Sequence, residues 1–253
     1  MKHVDHIKIK PGMTVNELIL EMEKSGVFGA GRIAQAVNLT EEMIRDKDCK
    51  LFFGLAGAMV PGGMKQIIID MLKDHWIDVF VTTGATLTHD LVEALGFAHI
   101  KGSDRADDRQ LRKEGFVRMY DSYMPNESYS ELEKFCHNVF GKIDSTKQLN
   151  IREFLWEIGK FVPKESILQV CYRERIPIFC PALADSGLGL QVWSYLQEKK
   201  LDVSAFEDLK EILDIAWTAK KSGVFYVGGR VPKNYIQQAM QFSKAALYAV
   251  QIT

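Results

Sequence analysis

The sequence predicts an α/β fold: a mainly parallel sheet with helices on both faces and an N-terminal helical cap. Three observations predict it. From Lys50 onward, short β-branched and aromatic runs alternate with longer segments whose apolar residues recur at helical spacing. The first two runs, Leu51–Leu55 and Ile77–Thr82, are separated by one helix-length segment, which calls for parallel strands and a right-handed crossover. The runs end in small or glycine-rich residues, so their loops should gather at the carboxyl edge of the sheet, where open α/β sheets bind ligands.

Taken in order, residues 1–13 read as an extended arm ending at Pro11-Gly12. Thr14-Val15-Asn16-Glu17 is a capping box that starts a helix reaching about Lys24 and stopping at Ser25-Gly26. Gly29-Ala30-Gly31-Arg32-Ile33-Ala34 has the glycine spacing of a dinucleotide fingerprint, but a helix stop precedes it instead of a strand. It is read as a helix-to-helix turn with small residues at a packing contact. Thr40-Glu41-Glu42 is expected to open a further helix. After Leu51–Leu55 comes the glycine-rich turn Gly57–Gly63, then a helix with Met64, Ile67, Ile68, Met71 and Leu72 on its apolar face. Ile77–Thr82 breaks at Thr83-Gly84-Ala85, and a helix is expected from Thr86 or Thr88 to Leu95. Strand, small-residue loop and helix start is the geometry that offers free amides to an anion.

Residues 101–127 are polar and charged, the composition of a lid, a subunit contact or a solvated face, with a turn at Met124–Glu127. Helices are expected over Tyr129–Phe140, Ile151–Phe161 and between Pro163 and Pro177. Pro177–Pro181 is a third strand, followed by small residues and Asp185, a carboxylate placed either for ribose hydroxyls or as the N-cap of a helix over Leu188–Leu196. Phe206–Lys220 is an amphipathic helix and Val224–Val227 a fourth strand. Gly228-Gly229-Arg230 is a glycine-bearing loop, Lys233–Ser243 a helix and Ala246–Ile252 a final strand.

The chain reads as a single domain, with residues 1–49 as the helical cap and 50–253 as the α/β sheet. Its 253 residues carry a net charge of −1, which argues against a general nucleic-acid or anionic-membrane surface. No run approaches the roughly 18 apolar residues of a membrane span, and Met1–His6 lacks a signal-peptide core, so a cytoplasmic address is expected. Cys49, Cys136, Cys171 and Cys180 have no regular spacing; they are expected to be buried free thiols, with no metal and no disulfide.

Five segments in order are similar to motifs of the deoxyhypusine synthase family and its bacterial homospermidine-forming relatives. They are Val81–Ala85, Met124–Tyr129, Pro181–Asp185, Gly228–Lys233 and Tyr248–Thr253. The resemblance implies a Rossmann-like sheet, assembly as a homotetramer and NAD as cofactor. It also implies transfer of an aminobutyl or related alkylamine group from a polyamine to an amine acceptor, in some members a protein lysine, through an imine. Carried over by position, the NAD contacts would be Gly57, Ala58, Met59, Val60, Pro61, Thr83, Gly84, Ala85, Asp185, Gly229 and Thr253.

The substrate side departs from the family pattern. Thr88 and His89 stand where the family has paired acids, Leu190 where it has an acid and Asn234 where it has a histidine, while Lys233 is a neighbour of the site. A dication normally needs carboxylates to offset desolvation of its ammonium groups, so plain spermidine is not the expected substrate unless it is held from elsewhere. The family's catalytic lysine belongs to a Ser-Trp-Gly-Lys segment that nothing in residues 1–253 matches, so it is expected beyond Thr253 and no catalytic residue is assigned. The alternatives are a non-catalytic NAD-binding paralogue or regulatory subunit of the same family, or a generic dehydrogenase with His89 as its one candidate base.

Overall fold

In the computed structural model, residues 3–253 are described. The elements, in chain order, are α1 (Val15–Ser25), α2 (Phe28–Arg45), β1 (Cys49–Leu55), α3 (Lys65–Lys73), β2 (Val79–Val81) and α4 (Gly84–Ala94). Then come β3 (Ile100–Lys101), α5 (Asp108–Lys113), β4 (Phe116–Met119), β5 (Ser122–Pro125), α6 (Glu127–Phe140), β6 (Gln148–Asn150), α7 (Ile151–Phe161) and α8 (Ile167–Arg173). The remainder are β7 (Ile178–Phe179), α9 (Gly187–Tyr195), β8 (Asp202–Ser204), α10 (Phe206–Thr218), β9 (Lys221–Val227), α11 (Arg230–Gln241) and β10 (Tyr248–Ile252).

The central sheet runs β10-β9-β1-β2-β7 with every pairing parallel, for example Phe52 opposite both Val79 and Val224. The chain winds outward from β1 through β2 to β7, then returns to the other side of β1 through β9 to β10. The order therefore reverses between β1 and β9, the switch point of a Rossmann-like sheet. Alternation along the strands sends neighbouring side chains to opposite faces. Phe53, Phe80 and Ile178 join α3, α4 and α6–α8 in one core, while Phe52, Val79, Phe179 and Val224 join α10 and α11 in the other. Helix α2 packs on β1 and β10, and all four cysteines are buried free thiols.

Several boundaries differ from expectation, each for a local reason. Helix α2 is continuous because Thr40 donates its hydroxyl to Ala36 O (2.7 Å) instead of capping a new helix. Gly31 lies in its first turn, where a Cβ would come within 2.5 Å of the Gly26 backbone, so the glycine spacing serves helix packing. Residues 101–127 hold a small antiparallel sheet, β3-β5-β4, with Arg118 bridging back to Asp108 of α5 (2.7 and 3.1 Å). Met124-Pro125 closes β5 and Asn126-Glu127 starts α6, so the expected turn is a strand-to-helix junction. Helix α4 begins at Gly84, earlier than Thr86, because the Thr83 hydroxyl accepts the Thr86 amide (3.3 Å). Helix α11 begins at Arg230, so Lys233 lies in its first turn and does not open it. Pro232 is tolerated there because first-turn amides need no intrahelical partner.

One buried acid predicts how stability varies with pH. Asp208 is 1% exposed; its Oδ1 accepts the Arg152 amide at the start of α7 (3.1 Å), while Oδ2 finds no partner among the described residues. Burial pushes its carboxyl up to about 7, against the backbone hydrogen bond from Arg152. A carboxyl raised in the folded state binds its proton more tightly there than in the unfolded chain, so its contribution to stability is lost as pH rises between the two pKa values. Chemical denaturation should show stability falling from about pH 4 to about pH 7, and Asp208→Asn should flatten that slope.

Candidate active site

Three loops meet over the carboxyl ends of β1, β2 and β7 and face one side of α11. Between them lies a cleft of about 670 Å³. The loop after β1 contributes Ala56 and Gly57, that after β2 contributes Thr83, and that after β7 contributes Pro181, Ala182 and Asp185. Helix α11 adds Arg230, Val231, Asn234, Tyr235 and Gln238, spaced so that they share one face. The volume is in the range of small-molecule sites.

Glycine is required at two points of the rim. Gly57 has φ +90° and Gly228 has φ +78°, and a Cβ on Gly228 would approach Ala56 O at 3.1 Å. The β1 and β9 loops are held together there by the Ala56 amide donating to Val227 O (2.9 Å). Asp185 is exposed and its carboxylate takes no hydrogen bond among the described residues. Ser186 is the cap of α9, its hydroxyl accepting the Gly189 amide (3.0 Å). Of the two roles open to Asp185 in the sequence, capping is therefore filled by its neighbour, and the carboxylate is left at the cleft.

Gly57, Thr83, Asp185 and Asn234 thus come together in the cleft, while the other sequence-selected residues lie elsewhere. Ala58, Met59 and Pro61 continue in the turn beyond Gly57, and Val60 is buried in the core. Gly84 is spent on packing: a Cβ there would lie 2.4 Å from Ser186. Ala85 follows on the exposed side of the first turn of α4. Gly229 is the N-cap of α11, and Thr253 is exposed after β10. Thr88 is buried, donates to Gly84 O (2.9 Å) and accepts the Leu188 amide (3.0 Å), which staples α4 to α9. Leu190 is 60% exposed on α9. Lys233 donates to Gln251 Oε1 (2.6 Å) and lies over the Tyr226 ring, away from the cleft lining.

His89 belongs to a separate network. The Glu93 carboxylate accepts from His99 Nδ1 (2.7 Å), and His99 Nε2 and His89 Nδ1 share a hydrogen bond (3.0 Å). Burial, then the neighbouring His99, pushes His89 down to about 4. It is neutral near pH 7.

Sequence reasoning missed Arg230, Tyr235 and Gln238 because the helix was expected to start at Lys233. The helical spacing of Val231, Tyr235 and Gln238 was the available signal. A second groove of about 640 Å³, between α2 and the edge strand β10, is almost wholly apolar. It offers little polar surface to orient a reactant, which leaves the more polar cleft as the candidate site.

The sequence and the fold are matched by relatives. The family model "DS: Deoxyhypusine synthase" matches residues 17–253. The chain belongs to the deoxyhypusine synthase family. A Methanosarcina mazei protein named "Probable deoxyhypusine synthase 1" is 47% identical over 248 residues, covering 97% of this chain and 78% of that one. A Methanothermobacter thermautotrophicus protein named "Probable deoxyhypusine synthase" is 38% identical over 253 residues, covering 99% and 82%. Among solved structures, an Entamoeba histolytica protein described as a deoxyhypusine synthase superposes with TM-score 0.64 at 18% identity, over 89% of this chain and 79% of that one. At that identity the likeness supports the fold. No helix among the described residues is long and apolar enough to cross a membrane.

Proposed function

We propose that the chain is an NAD-dependent transferase that moves an aminobutyl or related alkylamine group from a polyamine to an amine acceptor through an imine. Membership of the deoxyhypusine synthase family supports the reaction class. The single observation that carries the cofactor half is the cleft at the strand-order reversal, with Asp185 left unpaired on its wall. The residues fit a dinucleotide. Gly57 and Gly228 hold backbone conformations that favour glycine and keep the rim open, and Asp185 can accept from a ribose diol as acids do in such sites. When bound, NAD would supply a hydride acceptor for oxidation of the donor amine. Thr83 and Gln238 add hydrogen-bonding groups along the walls, and Asp185 fixes orientation. A homotetramer, a cytoplasmic address and a protein acceptor remain part of the proposal through the family.

The donor is proposed to differ from plain spermidine. Thr88 is committed to the α4–α9 staple, His89 is neutral and Leu190 is exposed and apolar, so none of the three offers a charge to an ammonium group. These departures, together with Asn234 where the family has a histidine, favour the second reading, a non-catalytic NAD-binding member of the family. Incubation with NAD and a panel of amines separates the two. The transferase reading expects reduced cofactor or labelled alkylamine transfer with at least one amine; a protein that binds NAD and gives neither product with any amine supports the second reading.

A further inference from the structure

Arg230 is a non-glycine residue at φ +56°, between two glycines and a β-branched valine. Backbone conformations of this kind are costly for side chains bearing a Cβ; of the five non-glycine residues that adopt one among the described residues, Arg230 alone lines the cleft. Arg230 lines the cleft, and its guanidinium forms no ion pair among the described residues.

The surroundings of Arg230 indicate what it could hold. Of the two loops at the β1/β9 reversal, the one after β1 runs nine residues before α3, whereas β9 reaches α11 through Gly228 and Gly229 alone. The start of α11 is therefore delivered to the sheet edge. Its N-cap, Gly229, has no side chain to occupy the first amides, in contrast to Thr83 on α4 and Ser186 on α9. One turn further along, Tyr235 is 8% exposed and lines the same cleft, and its hydroxyl finds no partner among the described residues. A cation, the Arg230 and Val231 amides behind a glycine N-cap and an unpartnered hydroxyl are donors without an acceptor.

We infer that Arg230, with Tyr235 and the first amides of α11, forms an anion subsite that holds the pyrophosphate of a dinucleotide. The inference deepens the proposed cofactor reading and rests on it. Asp185, across the cleft, then engages the ribose, so the two charged groups divide the ligand between them and do not pair with each other.

The test measures equilibrium binding of NAD, ADP-ribose, adenosine and inorganic pyrophosphate to the wild type, Arg230→Gly and Arg230→Lys. Glycine relieves the backbone strain, so Arg230→Gly should melt no lower than the wild type, and lost binding then cannot reflect unfolding. The expected result is a loss of about tenfold or more for NAD and ADP-ribose in Arg230→Gly, no change for adenosine, and partial recovery in Arg230→Lys. Unchanged NAD and ADP-ribose affinities would overturn the inference, as would an equal loss for adenosine. If the wild type binds pyrophosphate but neither nucleotide, the cofactor reading fails by itself. The subsite is then judged on pyrophosphate: lost in Arg230→Gly it stands, retained it falls.

Discussion

Asp90→Ala should destabilise the fold by about 3–5 kcal/mol, lowering the melting temperature by on the order of 10 °C. Asp90 is fully buried on α4, and its two carboxylate oxygens accept the Ile167 and Leu168 amides at the start of α8 (3.0 and 3.1 Å). Lys65 pairs with the same carboxylate (3.1 Å) and donates to the Asp90 carbonyl oxygen (3.1 Å). Burial pushes the Asp90 carboxyl up, opposed by Lys65 and the two amides, so the acid is tolerated only with its partners in place. Truncation strands two helix-start amides and removes one of the two carboxylates beside the largely buried Lys65, which keeps Glu93 (3.5 Å) and the Asp90 carbonyl. Asp90→Asn keeps one acceptor oxygen and should lose less. Denaturant titration measures both; a loss under 1 kcal/mol for Asp90→Ala would contradict this account.

The same clamp bears on function. Helix α4 begins beside Thr83, and α8 leads into β7 and the Pro181–Asp185 loop, so Asp90 fixes two walls of the cleft against each other. This link spans 77 residues of sequence and could not be read from either helix alone.

How much was legible follows from the range of the interactions. The five strands of the central sheet, their parallel pairing and the gathering of loops at one edge were readable because period and small-residue breaks are local signals, whereas the short strands of the two smaller sheets were not. The Thr14 capping box and the Ile151–Phe161 helix are found as expected for the same reason. Gly57, Thr83 and Asp185 were legible as residues that follow a strand and meet in one cleft. Thr88 was not: its hydroxyl is matched to an amide 100 residues away, so a structural staple resembled an altered substrate contact. Arg230 was hidden because a left-handed backbone at a non-glycine residue leaves no mark in composition. Thr40, read as a cap, instead bonds back within a helix, a choice between two local hydrogen bonds that propensity does not decide.

The second large effect concerns the cofactor. Asp185→Ala should weaken NAD binding by about 10- to 100-fold, the range expected when a charged acceptor of one or two hydrogen bonds is removed. The variant should fold as the wild type does. Asp185 is exposed, its side chain bonds to no described residue, and Ser186 retains the cap of α9. The loss is therefore attributable to the ligand and not to the scaffold. Adenine alone, which lacks the ribose hydroxyls, should bind both proteins equally.

The most direct measurement is a calorimetric titration of NAD into the wild type and Asp185→Ala at the same salt concentration. The account predicts one site per chain in the wild type and at least a tenfold weaker site in the variant. No binding to the wild type, or equal affinity in both proteins, would contradict the assignment of the cleft as the NAD site.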